Sequence, residues 1–166
     1  MKHNYSLLLT FALIISFGFQ MYGQKGIPSV KLKTFDGQNV DLLDYVLEQD
    51  KMTILTFWAS WCKPCKKEMD NISYLLPDWQ EEYDIQVVAV TIDEVRNLGK
   101  AKSIAISKEW EYTFLSDSNQ ESMRQLNFQA IPHTFLIDKE GNIIYSHTGY
   151  VDGDEYKLEE KIKAGK

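Results

Sequence analysis

The sequence predicts an α/β domain built on a mixed central sheet with helices on both faces. Three observations lead there. Residues 52–57 and 86–92 are short, mostly apolar runs of the length expected for strands buried on both faces. Apolar residues recur at helical spacing after each run. An apolar–turn–apolar pattern over residues 133–147 adds an antiparallel pair near the C-terminus. With 166 residues, 44% of them hydrophobic and 25% charged, the chain suits one domain with a sizeable core.

The N-terminus reads as a targeting segment. Lys2 supplies positive charge, residues 7–19 are apolar, and Met21-Tyr22-Gly23-Gln24 offers a processing region. The apolar run is shorter than the ~20 residues of a membrane-spanning helix, so residues 1–24 are expected to be a cleaved signal peptide preceding a domain at 25–166. An uncleaved anchor at the outer face of a membrane is the alternative, and only then would the protein contact a membrane. Neither cysteine lies near the processing region, which argues against lipid attachment.

Residues 30–35 alternate apolar and polar side chains, and Asp36-Gly37 supplies a turn into a second strand at 40–42, giving an N-terminal β-hairpin extension. The strand at 52–57 runs into a helix expected from Cys62 to about Leu76, where Pro77 marks its end. After the strand at 86–92, Asp93-Glu94 places acids where a helix could begin, and residues 96–107 carry Leu98, Ala101, Ala105 and Ile106 at helical spacing. A short strand at 112–115 and a helix at 120–126 follow. The strand at 133–137 turns at 138–142 into its hairpin partner at 143–147, and a charged amphipathic helix at 152–163 closes the chain. From the first buried strand onward the order is β-α-β-α-β-α-β-β-α.

The formal charge is -6, and Lys2 is the one charged side chain within residues 1–24, so the domain itself carries -7. An acidic chain with no basic stripe has nothing to neutralise phosphates, which argues against nucleic-acid binding.

The chemistry concentrates in Phe57-Trp58-Ala59-Ser60-Trp61-Cys62-Lys63-Pro64-Cys65, which holds both cysteines of the chain. Two cysteines separated by two residues at the opening of a helix can close a disulfide with little backbone movement. Cys62 would occupy the helix N-terminus, where unpaired amides and the positive end of the macrodipole favour its thiolate. A fall in pKa from about 8.5 toward about 7 raises the reactive fraction at neutral pH from a few percent to about half. Lys63, Lys66 and Lys67 are expected to push the same way. Cys65 should face inward and resolve the mixed disulfide, and Pro64 is tolerated in a first turn that has no internal bonds to lose. A closed zinc site competes poorly, because it needs four ligands and the chain offers two cysteines and three histidines (His3, His133, His147) with no second CxxC or HxxxH. No metal or cofactor is expected. A purely stabilising disulfide competes poorly too, since so small a loop removes little unfolded-state entropy.

Together with Ile131-Pro132-His133-Thr134-Phe135-Leu136-Ile137-Asp138, this motif resembles the thioredoxin superfamily, and most of all its exported TlpA/ResA-like thiol-disulfide oxidoreductases. The resemblance covers the chain from about Ile27 onward and implies a thioredoxin-like fold. It implies that Cys62 attacks and Cys65 resolves, that Pro132 is cis beside the dithiol, and that the backbone of Ile131 pairs with substrate. Glu68 matches an active-site glutamate of the ResA-like proteins and would modulate proton transfer, whereas Thr56 stands where thioredoxins carry a buried aspartate. Trp61 is expected over the dithiol and in contact with partners, Trp58 in the core, and His133 at the start of a strand. The implied activity is reduction of exported protein disulfides, in redox homeostasis and apocytochrome c maturation, in the periplasm or facing outward from a membrane, with a membrane-bound electron donor. Two other readings stay open. A peroxiredoxin-like thiol peroxidase would share the fold, although that family places a threonine where this chain has Ala59. A copper chaperone would use both cysteines and a histidine as soft ligands, although such proteins generally separate their cysteines by three residues.

Overall fold

Met52–Trp58 is buried at all seven positions, which no edge strand permits, and it forms an interior strand of the sheet, β3, in a computed structural model describing residues 26–165. Strands β1 (Lys31–Thr34), β2 (Asn39–Asp41), β4 (Ile85–Thr91), β5 (Thr113–Ser116), β6 (His133–Ile137) and β7 (Ile143–Thr148) complete it in the order β2-β1-β5-β4-β3-β6-β7. Strand β3 is parallel to β4 and antiparallel to β6, and β4 is parallel to β5. The sheet is therefore mixed, as predicted, with the N-terminal hairpin β1–β2 joined to it through β5. Gly37, at φ 94°, makes the tight turn of that hairpin, a conformation that a Cβ would disfavour.

Among the described residues five helices cover the sheet: α1 (Leu42–Glu48), α2 (Lys63–Tyr83), α3 (Leu98–Ser107), α4 (Glu121–Leu126) and α5 (Asp154–Ala164). The period-2 alternation of β3 divides the core between them. Ile54 lies opposite both Val87 and Leu136 and packs with Ile72, Leu76 and Trp79 of α2 and Leu158 and Ile162 of α5. Leu55, opposite Val88 and Phe135, packs in the larger cluster with Leu42 and Val46 of α1 and Ala101 and Ala105 of α3. Thr56, two residues on from Ile54, thus faces the α2 side.

The sequence reading needs correction at four places. The CxxC helix does not stop before Pro77 but runs on to Tyr83. The missing N–H and the clash with the preceding turn cost about 3 kcal/mol, but Leu76, Trp79 and Tyr83 bury one stripe on either side of the proline and more than offset it. Leu42 is not the end of a strand but the start of α1, whose N-cap Asp41 accepts hydrogen bonds from the Leu43 and Asp44 amides. Asp93-Glu94 opens no helix: a 3₁₀ turn at Val95–Asn97 precedes α3, and Asp93 turns inward. The last helix starts at Asp154 rather than at residue 152. The predicted signal segment lies outside the described residues. Among the described residues no helix is long and apolar enough to cross a membrane.

Candidate functional site

The register of the sheet brings the two predicted motifs to one end. Phe57 of β3 pairs with His133 of the antiparallel β6, so the chain leaves β3 toward Cys62 where it enters β6 from Pro132. Cys62 is the N-cap of α2, with extended backbone angles, and its Sγ accepts a hydrogen bond from the Cys65 amide at 3.2 Å. The two sulfurs are joined in a disulfide across a Cα separation of 5.4 Å. Both cysteines are buried, Cys62 at 4% exposure and Cys65 completely. Trp61 beside Cys62 is 62% exposed, while Trp58 is wholly buried and packs edge-on against Trp110.

The loop carrying Cys62 is held from below by a residue that sequence reasoning assigned elsewhere. Buried Asp93 accepts hydrogen bonds from the Ser60 amide (2.7 Å), the Ser60 hydroxyl (2.8 Å) and the Thr91 hydroxyl (2.6 Å). Nothing near Asp93 in sequence marks this role, because it depends on β4 lying beside β3. The lysines are less free than expected. Lys66 Nζ donates to the Ser60 carbonyl at 3.1 Å, and Lys67 is paired with Asp152 at 2.6 Å. Lys63 remains exposed in the first turn.

Glu68 lies one helical turn beyond Cys65 on the same buried side of α2, where residues three apart are neighbours. Its Oε1 accepts from the Thr134 hydroxyl at 3.0 Å and is 2.6 Å from His147 Nε2. Thr134 in turn lies 3.0 Å from the Thr56 hydroxyl. These residues form a row, since Thr56 pairs with Thr134 and Thr134 with His147 across β3, β6 and β7. Sequence reasoning treated His147 only as a metal ligand to be counted. Strand alternation alone could have placed it on the α2 face, but only once the β6–β7 register was known.

Ile131 is half-buried and Pro132 buried, the bond between them is cis, and the Pro132 carbonyl accepts from the Gly149 amide at 2.8 Å. His133 is buried, stacks on Phe128 with ring centroids 4.4 Å apart, and shares a 2.8 Å hydrogen bond with the Thr148 hydroxyl through Nδ1. Burial, with a smaller contribution from the neighbouring His147, pushes its pKa down to about 4. A cleft of about 500 Å³ is lined by residues of β1, α3 and the β5–α4 turn and includes neither cysteine. Among the described residues no group of three or more histidine, cysteine or acidic side chains is placed to hold a metal ion.

The AhpC/TSA family model matches residues 24–146. The thiol-disulfide oxidoreductase ResA of Bacillus thuringiensis subsp. konkukian is 28% identical over 139 residues, 84% of this chain and 76% of that protein. The sporulation thiol-disulfide oxidoreductase A of Bacillus subtilis is 28% identical over 142 residues, 81% of this chain and 79% of its own. Among solved structures, a thioredoxin-like protein of Porphyromonas gingivalis is 37% identical with a TM-score of 0.71, covering 83% of this chain and 90% of that one. A Chlorobium tepidum chain assigned as a thiol:disulfide interchange protein DsbE is 28% identical with a TM-score of 0.73, covering 86% and 96%.

Proposed function

The chain belongs to the AhpC/TSA family and is a thiol-disulfide oxidoreductase of thioredoxin-like fold, and from that premise we propose that it reduces protein disulfides outside the cytoplasm through a Cys62–Cys65 cycle. The observation that carries the reading is the sulfur pair itself, with Cys62 at the N-cap of a 21-residue helix and Cys65 sealed beneath it. The Cys62 thiolate attacks a substrate disulfide, forming a Cys62–substrate S–S bond and releasing one substrate thiolate. Cys65 then gives its proton to the Glu68 carboxylate and attacks Cys62 Sγ. The Cys62–substrate bond breaks with its electron pair on the second substrate sulfur, and the protein is left with the Cys62–Cys65 disulfide. Two electrons have passed to the substrate, and a dithiol donor at the membrane restores the pair.

Substrate contact in this reading falls to exposed Trp61 and to the backbone of Ile131 ahead of Pro132. The reductive direction is supported by charge. Strongly oxidising CxxC sites owe their potential to a heavily stabilised thiolate. Here Lys67 is neutralised by Asp152, Lys66 is engaged with a carbonyl, and an acidic side chain lies one turn behind Cys65. Substrates are exported proteins whose cysteines must be kept reduced, apocytochromes c among them. Residues 1–24 act as the export signal, cleaved into the periplasm or retained as an outward-facing anchor.

The test is to trap the intermediate. Cys65→Ser should accumulate a stable disulfide between Cys62 and an oxidised model protein, while Cys62→Ser should accumulate none. Equal trapping by both variants overturns the assigned order. Consumption of peroxide without any mixed disulfide selects a peroxidase instead, and tight stoichiometric Cu(I) binding selects a metal chaperone.

A further inference from the structure

The two oxygens of Glu68 have different surroundings. Oε1 meets the Thr134 hydroxyl and His147 Nε2, whereas Oε2 is buried with no hydrogen-bond partner among the described residues. Thr134 has one proton for two contacts, to the Thr56 hydroxyl and to Glu68 Oε1, and the carboxylate is the stronger acceptor. The His147 tautomer follows from burial. Its Nδ1 is buried with no hydrogen-bond partner among the described residues, and a bare lone pair there costs less than an unbonded N–H, so the proton sits on Nε2 and points at Oε1. His147 is otherwise well placed to be rigid: its side chain is 15% exposed, and its ring lies 5.7 Å from that of Tyr145.

We propose that His147 is the positioning residue for Glu68, holding Oε1 in the carboxylate form and leaving Oε2 as the atom that accepts the Cys65 proton. This rests on the reading of Glu68 as that acceptor. When the mixed disulfide resolves, the Cys65 S–H bond breaks and an O–H bond forms at Oε2. The freed sulfur attacks Cys62, and the substrate sulfur leaves with the electron pair. A buried carboxylate stripped of its charged or N–H donor holds a proton more readily and is then unable to take another.

Other ionisable groups face the pair without replacing His147. His133 approaches from β6 but is kept neutral by burial. Asp154, at the start of α5, is engaged with Lys157 and the Val151 amide. Tyr112, ahead of β5, donates its hydroxyl to the Met69 carbonyl, and Tyr145 on β7 offers its ring. None of them donates to Glu68 among the described residues.

The experiment is a single-turnover measurement on the full chain: release of a substrate thiol from a preformed Cys62 mixed disulfide, followed against pH. His147→Phe keeps a ring of similar size without a donor. Its rate midpoint should move up by about one pH unit, with release about tenfold slower at pH values below the wild-type midpoint, the scale of one lost hydrogen bond to a charged group. His147→Gln, which keeps a side-chain N–H, should recover most of that shift. Glu68→Gln should slow release about 100-fold. A slow Glu68→Gln beside a His147→Phe profile that matches wild type overturns the role of His147 and leaves that of Glu68 standing. A Glu68→Gln profile like wild type overturns both. Should His147→Phe not fold, the ¹⁵N histidine spectrum of the wild type decides: a proton on Nε2 supports the assignment, and a proton on Nδ1 removes it.

Discussion

His133 shows how one buried side chain ties this site to pH. The ring is stacked on Phe128 and bonded to Thr148, its Nε2 has no partner among the described residues, and burial holds its pKa near 4 against an ordinary 6.5. The unfolded chain therefore takes up this proton first. Stability contributed by the neutral ring is complete above pH 6.5 and declines as the pH falls from there toward 4. Denaturant midpoints should drop across that window in the wild type, and His133→Phe should flatten the drop. An unchanged slope would mean that the ring is not held neutral by burial. The carboxylates whose pKa values are lowered, Asp41 and Asp154 among them, start below 4 and act at lower pH, so the two effects separate. Residue by residue, the cysteines were legible because two sulfurs at fixed spacing carry their chemistry with them. His147, Thr134 and Asp93 were not, because each acquires its role from a neighbour on another strand.

Helix α2 is the element on which the site depends, since it presents Cys62, Cys65 and Glu68 from one rigid body and buries Ile72, Leu76 and Trp79 against the sheet. Pro77 stands in its interior. Replacing that exposed proline by alanine restores one backbone donor and relieves the clash with the preceding turn. It should stabilise the protein by about 1–3 kcal/mol, read as a higher denaturant midpoint, with no change at the sulfurs, twelve and fifteen residues away. A lower midpoint would show that the proline's fixed geometry is part of how the helix bends onto the sheet. The same helix marks the limit of local reading. Proline is a sound stop signal on propensity alone, yet here the apolar stripe continues through it and tertiary packing decides. Helix α1 was missed for the opposite reason: seven residues give too little periodicity, and the Asp41 cap is visible only as a cap once the turn before it is seen.

At the scale of the whole molecule, the order of elements after residue 52 was legible because buried strands and amphipathic helices have different periods. Which strands lie side by side was not, and the site is made by that adjacency: β3 between β4 and β6 brings Asp93 under the Cys62 loop, and β6 beside β7 brings His147 to Glu68. The fold thus places the less buried cysteine at the helix terminus and the fully buried one a turn before a buried carboxylate, an arrangement suited to passing two electrons to a protein substrate. The most direct measurement is an equilibrium titration of the protein in glutathione and dithiothreitol buffers, with thiols counted by alkylation and mass. The account predicts a reversible two-electron couple of Cys62 and Cys65 at or below about -220 mV. A couple near about -120 mV would contradict the reductive direction, and a disulfide that does not cycle at all would contradict the redox function itself.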